Sequence, residues 1–197
     1  CLPVSRGILR SHPRPNARTS AQPSTRATAW PMWCAALIAY CLAAALPAAA
    51  QDNARIELKN FHSPSIAGNL EGNEAERNVY VVTPPGYDEN SGKRYPVVYF
   101  LHGYWATPQM YQETMKFEEA VDIAAEAGNE VIMVIPDGHS RLRGGFYSSG
   151  PTVGDYESFV ARDLVGWVDA NYRTLAKPES RGLAGHSMGG YGTIRIA

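Results

Sequence analysis

The C-terminal segment GLAGHSMGGYGTIRIA (182–197) contains the residues of this sequence that are best suited to chemistry. Gly185 and Gly189 flank Ser187 at two-residue spacing and give the pattern Gly-x-Ser-x-Gly. Glycines at these positions let a strained strand-to-helix turn present a serine hydroxyl without a Cβ clash. A helix that begins at the serine also points free N–H groups at the place where negative charge develops. We therefore predict that Ser187 is a nucleophile.

A second motif, FLHGYW (100–105), closes an apolar run that is typical of a strand. Gly103 would let the backbone turn there, so that the N–H of Tyr104 joins the N–H of Met188 in an oxyanion hole. His102 needs no side-chain chemistry in this arrangement, and we interpret it as a structural residue.

A serine nucleophile needs a base within about 2.6 to 3.2 Å of its hydroxyl, and the base is oriented by a third group. His186 is adjacent to Ser187, but neighbours at a tight turn point in different directions, so we interpret His186 as structural. We interpret the other candidate base residues, His62 and His139, as loop residues. The candidate acids, Asp137 and Asp155, are interpreted as turn or cap residues.

The elements around these motifs alternate between strand and helix patterns. ARIELKNFHS and ERNVYVVTPPGY predict two early strands, while RYPVVYFLHG and EVIMVIPDG are unbroken apolar runs that are typical of strands buried on both faces. Helical spacing predicts a covering helix over 109–127, stopped by Gly128, and a second over 155–172. The apolar positions of these helices are Met110, Phe117, Val121 and Ala124, then Tyr156, Phe159, Val160, Leu164, Val168 and Tyr172. This order predicts an α/β layered domain with a mostly parallel sheet and helices on both faces.

Charge and cysteine separate the first 50 residues from the rest. Residues 1–50 contain five arginines and no acidic residue, whereas residues 51–197 hold thirteen Lys or Arg against nineteen Asp or Glu. All three cysteines (Cys1, Cys34 and Cys41) lie in the first part, so the second has no thiol for a disulfide, a zinc thiolate or catalysis. It has neither metal-ligand spacing nor a Gly-rich phosphate loop, so we expect no cofactor and no metal. A mildly acidic domain without a basic stripe gives no reason to expect nucleic acid.

An uncharged run from Met32 to Ala50 ends in an Ala-x-Ala pattern, and we interpret 31–50 as a signal peptide cleaved near Ala50. A retained membrane anchor is the alternative, because nineteen apolar residues just suffice to span a bilayer. Residues 1–30 are rich in Pro, Ser, Thr and Arg, which predicts a disordered basic leader or translated sequence upstream of a start at Met32. The expected location is therefore secreted or periplasmic, with membrane contact only through the signal peptide.

Several blocks in order resemble a known family: VVTPPGYDE, YPVVYFLHG, VIPDG, FYSSGP, YESFVARDLVGWVDANYRT and RGLAGHSMGGYGTIRIA. Residues 55–197 resemble the secreted esterases of the esterase D group. That group includes S-formylglutathione hydrolases, feruloyl and acetylxylan esterases, enterochelin esterases and the mycolyltransferase antigens. The resemblance implies an α/β-hydrolase fold, with Ser187 at the nucleophile position and Tyr104 and Met188 as the oxyanion-hole amides.

In α/β-hydrolases the triad follows the chain order Ser, then Asp or Glu, then His. We therefore expect the acid and base beyond Ala197, and residues 51–197 to be the N-terminal part of such a domain, truncated after the nucleophile turn. Expressed alone, this part is expected to be poorly soluble or partly folded, because an uncovered sheet edge favours association. It is also expected to be inactive, because a triad without its base loses most of its rate.

The leading functional hypothesis is a carboxylic ester hydrolase that forms an acyl-enzyme on Ser187 and acts on a small-molecule or carbohydrate-linked ester. Acyl transfer to an alcohol by the same fold is one alternative, and a non-catalytic binding module that keeps the scaffold is another. Aromatic residues in loops near the site are candidates for a substrate-binding wall, and local packing, which is the more common role of such residues, is the alternative (Tyr104, Trp105, Phe146 and Tyr147).

Overall fold

The computed structural model describes residues 52–197, and the predicted leader and signal peptide lie outside the described residues. Within this part, no helix is long and apolar enough to cross a membrane. The strands are β1 (Arg55–His62), β2 (Glu76–Thr83), β3 (Val97–Leu101), β4 (Ile132–Pro136), β5 (Ser149–Gly150), β6 (Gly154–Asp155) and β7 (Arg181–Gly185). The helices are α1 (Pro108–Met115), α2 (Phe117–Glu126), α3 (Tyr156–Ser158), a π-helical segment (Phe159–Leu164), α4 (Val165–Asn171) and α5 (Met188–Ile196), with a 3₁₀ turn at Pro178–Ser180.

Five strands form the central sheet in the order β1-β2-β4-β3-β7. The strand β3 runs parallel to both β4 and β7, whereas β1 pairs antiparallel with β2, and β2 antiparallel with β4. The two early strands and the two apolar strands predicted from the sequence are confirmed as β1 to β4. The parallel arrangement is confined to β4, β3 and β7, so the sheet is more mixed than the sequence predicts. The strands β5 and β6 form a separate small hairpin in the Gly- and Ser-rich loop.

Alternate side chains of the central strands enter two different cores, as expected for a sheet that is covered on both faces. On β3, Val97, Tyr99 and Leu101 pack into one core together with the helical segment from Tyr156 to Val168. Phe100 faces the other core, which contains Tyr111 of α1 and Phe117 and Val121 of α2. Helices therefore cover both faces of the sheet, as predicted.

The predicted continuous helix over 109–127 is wrong, because Lys116 breaks it. Lys116 has a left-handed backbone with φ of 48°, and it ends α1 and begins α2. Tyr111 and Phe117 are both buried, while Met110, which was predicted on the buried face, is 52% exposed. Phe117 follows Tyr111 by six positions, so at 3.6 residues per turn one straight helix would place them on different faces. The break lets both rings pack against Phe100.

The predicted helix over 155–172 is confirmed, with bounds one residue inside the prediction at each end. Asp155 is its N-cap, and the carboxylate accepts the Ser158 N–H at 2.9 Å, as expected for a cap residue. A π-helical segment inserts one wider turn at Phe159–Leu164 and still keeps Phe159, Val160 and Leu164 buried.

The parallel pairing of β3 with β7 places the two predicted motifs at the same edge of the sheet. Leu101 pairs with Gly185 at the carboxyl ends of both strands, and the His186 N–H donates to Leu101 O at 3.1 Å. Because parallel strands end at the same edge, the loop 102–107 and the turn at Ser187 emerge side by side.

Candidate active site

Ser187 lies in a sharp turn between β7 and α5, as the Gly-x-Ser-x-Gly pattern predicts. Its φ of 54° and ψ of −114° are strained for a residue with a Cβ, and its side chain makes no capping hydrogen bond to α5. A Cβ on Gly185 would overlap the backbone of Gly189, and one on Gly189 would overlap the carbonyl of Leu101. The two glycines therefore let α5 approach β7 and β3 closely enough to leave Ser187 exposed at the turn.

The predicted oxyanion amides lie on neighbouring segments, that of Tyr104 in the loop after β3 and that of Met188 at the start of α5. Met188 is the first residue of α5, where a helix has no internal acceptor for the N–H. Within residues 52–197, neither amide donates a backbone hydrogen bond. The side chains converge at Gly144, where a Cβ would lie 2.5 Å from Met188 Sδ and 3.1 Å from Tyr104 Cδ2. The structure thus brings together Ser187, Tyr104 and Met188, whose catalytic roles remain predictions.

Hydrogen bonds to the Gly103 carbonyl fix the peptide group that carries the Tyr104 N–H. Gly103 O accepts the Ala106 N–H at 3.3 Å and lies 2.9 Å from His102 Nδ1. Because His102 Nε2 accepts the Gly138 N–H at 2.9 Å, the ring proton must be on Nδ1, which donates to Gly103 O. The peptide group is planar, so a fixed carbonyl also fixes the direction of the Tyr104 N–H. His102 is fully buried and structural, as predicted.

Two tyrosine hydroxyls hold the preceding peptide, between His102 and Gly103. The Tyr147 hydroxyl donates to His102 O at 3.1 Å, and the Gly103 N–H donates to the Tyr111 hydroxyl at 3.1 Å. Both contacts act on a single planar unit, one on its carbonyl and one on its N–H. Sequence reasoning missed Tyr111, because the helical spacing placed Met110 on the inner face.

The assignment of Tyr147 to the substrate wall is wrong. Tyr147 is only 1% exposed, and its ring lies against Gly138 and Gly192. Burial raises the pKa of this phenol well above its ordinary value, so it stays protonated and donates to His102 O. Tyr147 is therefore a buried support beneath the loop rather than a substrate contact.

The other predicted aromatic residues form an exposed cluster, which we call the aromatic rim. The ring of Tyr104 stacks on Phe146 at 5.9 Å and meets Trp105 edge-on at 6.5 Å. Tyr191, one helical turn after Ser187, joins the cluster by an edge contact with Phe146 at 6.0 Å. All four rings are about half exposed, from 45% to 56%. Tyr191 was missed, although its spacing of four from Ser187 already places it on the same side of the helix.

Trp105 also carries a cation on its face. The Arg143 guanidinium lies 3.8 Å from the centre of the Trp105 ring, and the backbone N–H of Trp105 donates to the backbone carbonyl of Arg143 at 3.0 Å. Both residues have positive φ, 69° for Trp105 and 79° for Arg143. Backbone strain of this kind is retained where surrounding contacts fix the conformation, and it is common at ligand-binding sites.

None of the four histidines in residues 52–197 is bonded to Ser187. His186 Nδ1 lies 2.6 Å from the Tyr111 hydroxyl, and His139 Nδ1 lies 3.4 Å from Ala106 O. His62 is not a loop residue as predicted, because it is the last residue of β1, where its exposed ring pairs with Glu76. The interpretation of these histidines as non-catalytic is consistent with these contacts. Among the same residues there is no group of three or more acidic, His or Cys side chains that could hold a metal.

A buried arginine fixes the loop that follows β4. Arg77 is 6% exposed and donates to the carbonyls of Asp137 and His139, at 2.6 Å each from its Nη2. Asp137 is a turn residue, as predicted, and its carboxylate accepts the His139 N–H at 2.9 Å. Burial alone would raise the pKa of Asp137, but the Arg77 guanidinium at 3.6 Å and the His139 N–H lower it below its ordinary value. His102 Nε2 is 3.7 Å from this carboxylate but already accepts the Gly138 N–H, so it does not donate to it.

The lowered pKa of Asp137 predicts a pH-dependent stability. Because the folded pKa lies below the unfolded one, the carboxylate stabilises the fold above about pH 4, and this contribution is lost as pH falls through the folded pKa. We expect Asp137→Asn to lower the free energy of unfolding at pH 7 by about 1 to 2 kcal/mol. The gap to the parent should narrow in urea titrations at pH 3, whereas a gap that does not change with pH would contradict this reading. Asp88→Asn, at an exposed carboxylate, serves as the control.

Comparison with known proteins decides the family. The family model described as "Putative esterase" matches residues 71–197, which is more than half of the chain. The chain belongs to this esterase family. Esterase Rv1288 of Mycobacterium tuberculosis is 38% identical to it over 125 residues, which are 60% of this chain and 25% of that protein.

Two solved structures share the fold of this esterase-family chain. A ferulic acid esterase has a TM-score of 0.63 and 24% identity, with 73% of this chain and 52% of that chain covered. The S-formylglutathione hydrolase of Agrobacterium tumefaciens has a TM-score of 0.58 and 22% identity, with 74% and 53% covered. These likenesses show the predicted α/β-hydrolase fold. The chain spans a quarter of the length of Esterase Rv1288 and about half of each solved structure.

Proposed function

We propose that the intact protein is a carboxylic ester hydrolase that works through a covalent acyl-enzyme on Ser187. The observation that carries this proposal is the strained, exposed Ser187 beside the amides of Tyr104 and Met188, which donate no backbone hydrogen bond within residues 52–197. Membership of the esterase family supports it.

In the proposed reaction, Ser187 Oγ attacks the carbonyl carbon of the ester while a base removes the hydroxyl proton. The electron pair of the carbonyl π bond moves onto oxygen, and the Tyr104 and Met188 N–H groups stabilise that negative charge. The tetrahedral intermediate then collapses, the bond to the alkoxy group breaks, and the alcohol leaves with the proton from the base. Water attacks the acyl-enzyme by the same steps and releases the acid. In this fold the acid and base follow the serine along the chain.

Hydrolysis and acyl transfer share this acyl-enzyme and differ only in the acceptor. The test is to follow p-nitrophenyl acetate turnover while methanol or a sugar alcohol is added, and to measure both acid and new ester. Acetate as the main product at millimolar alcohol supports a hydrolase, whereas ester as the main product would reassign the protein as an acyltransferase. A protein that shows no Ser187-dependent release of p-nitrophenol would instead fit a non-catalytic binding module.

We further propose that the substrate places an aromatic or carbohydrate group on the aromatic rim. Four half-exposed rings beside Ser187 offer flat apolar faces that are suited to stacking against either group. We also propose that the protein is secreted or periplasmic, on the basis of the apolar run from Met32 to Ala50 with its Ala-x-Ala ending.

Trp105 provides the sharpest test of the rim. We expect Trp105→Ala to raise KM for p-nitrophenyl esters with aromatic acyl groups about 3- to 10-fold, because one stacking contact contributes about 0.5 to 1.5 kcal/mol. KM for the acetyl ester should change less than twofold, since its acyl group is too small to reach the ring. Ile123→Ala, which truncates a 65% exposed side chain on α2, is the control. Equal effects of Trp105→Ala on both esters would rule out stacking of the acyl group on Trp105.

A further inference from the structure

The Tyr111 hydroxyl lies between the two loops of the site. Tyr111 is 9% exposed on α1, and its ring packs against Phe100 and His102, at 5.8 and 6.2 Å between ring centres. The hydroxyl contacts Gly103 N at 3.1 Å on one side and His186 Nδ1 at 2.6 Å on the other. These two neighbours immediately precede Tyr104 and Ser187 in the chain.

The chemistry of the three groups fixes the direction of one hydrogen bond and links the other to the tautomer of His186. A backbone N–H can only donate, so the hydroxyl oxygen accepts the proton of Gly103. The hydroxyl keeps its own proton, and donating it to His186 Nδ1 requires that the ring proton of His186 lies on Nε2. In that tautomer a single phenol acts as acceptor toward one loop and as donor toward the other.

The contact acts on the positions of both oxyanion amides. The Gly103 N–H belongs to the peptide whose carbonyl is held by Tyr147, and the next peptide carries the Tyr104 N–H. On the other side, His186 O accepts the Gly189 N–H at 2.8 Å, so the position of His186 is linked to the first turn of α5, where Met188 lies. The two loops also lie close together, because a Cβ built on Gly103 would be 3.5 Å from His186 O.

We propose that Tyr111 is a positioning residue that couples the two halves of the oxyanion hole through its hydroxyl. The proposal rests on the proposed function of Ser187. Tyr111 does not touch the reacting atoms. It fixes the spacing between the loop that carries the Tyr104 N–H and the turn that carries Ser187 and Met188.

Replacing Tyr111 with phenylalanine tests this role, because it removes both hydrogen bonds and keeps the ring. In the intact protein we expect kcat for p-nitrophenyl acetate to fall about 10- to 100-fold with KM within about threefold, since small displacements of preorganised donors act on the transition state. We also expect ¹⁵N NMR of His186 to show the Nε2–H tautomer in the parent and a loss of that preference in the variant.

Tyr156→Phe is the matched control, because it also removes the hydroxyl of a buried tyrosine. This hydroxyl donates to His139 O at 2.9 Å and not to a residue of the Ser187 turn. Loss of kcat in Tyr111→Phe but not in Tyr156→Phe, at a similar loss of thermal stability, supports the coupling. Equal kcat values in the parent and Tyr111→Phe would overturn it, and so would an unchanged His186 tautomer. A parent without Ser187-dependent activity would refute the proposed function, and the His186 tautomer would still decide whether the bridge exists.

Discussion

Ser187→Ala is expected to lower kcat for ester hydrolysis by the intact protein by about 10⁴-fold or more, because removing the nucleophile of a triad removes the covalent route. The residual rate should come from substrate binding and the oxyanion amides alone. Ser180→Ala is the control, because Ser180 immediately precedes β7 at the end opposite to the turn. A Ser187→Ala variant that retains more than a tenth of parental kcat would refute the nucleophile assignment.

Ser187→Gly separates the chemical role from the backbone geometry. The φ of 54° and ψ of −114° are strained for alanine as for serine, whereas glycine adopts such angles without a Cβ clash. Ser187→Gly should therefore be as inactive as Ser187→Ala but more stable than Ser187→Ala by about 1 kcal/mol in urea unfolding. Equal stability of the two variants would show that the turn is not strained in solution.

Gly189→Ala has the largest expected effect on folding. A Cβ at this position would overlap the carbonyl of Leu101 on β3, and no flexible side chain can move to make room. We expect a loss of about 3 kcal/mol or more in the free energy of unfolding, because backbone overlap forces α5 away from the sheet. Activity should fall with it, since α5 carries the Met188 N–H.

The neighbouring Gly190 provides the matched control for this prediction. A Cβ there would meet only Gly185 O, at an ordinary contact distance of 3.5 Å. Gly190→Ala should therefore stabilise the protein by about 0.5 to 1 kcal/mol, because alanine in a helix restricts the unfolded chain more than glycine does. Equal destabilisation by both substitutions in thermal unfolding would show that α5 is packed differently.

Local sequence signals predicted most of the elements that position the site. The apolar runs that became β3 and β4, and the Gly-x-Ser-x-Gly pattern around Ser187, depend on neighbouring residues alone. The break at Lys116 could not be predicted this way, because it depends on the packing of Tyr111 and Phe117 against Phe100. Phe100 lies on β3, outside both helices. Tertiary packing here overrides local helix propensity.

The supports of the site were the least predictable part. Tyr147 and Trp105 are both aromatic residues in loops, yet one is 1% and the other 56% exposed, and this difference depends on contacts made across the fold. The hydrogen-bond partners of Arg77 lie 60 and 62 residues further along the chain. The partners of Tyr111 are Gly103, which follows β3, and His186, which follows β7. A helical pattern indicates which face is buried but not which hydroxyl is bonded there.

The most direct test of the account is covalent labelling of the intact protein with diethyl p-nitrophenyl phosphate, followed by peptide mass spectrometry. A serine with an activated hydroxyl displaces p-nitrophenol from this reagent and becomes diethylphosphorylated, and the oxyanion amides stabilise the charged phosphoryl oxygen as they would an ester. We predict one adduct on the peptide that contains Ser187, with no labelling of Ser187→Ala and full labelling of Ser180→Ala. An unlabelled parent protein, or an adduct that persists in Ser187→Ala, would contradict the assignment of Ser187 as the nucleophile.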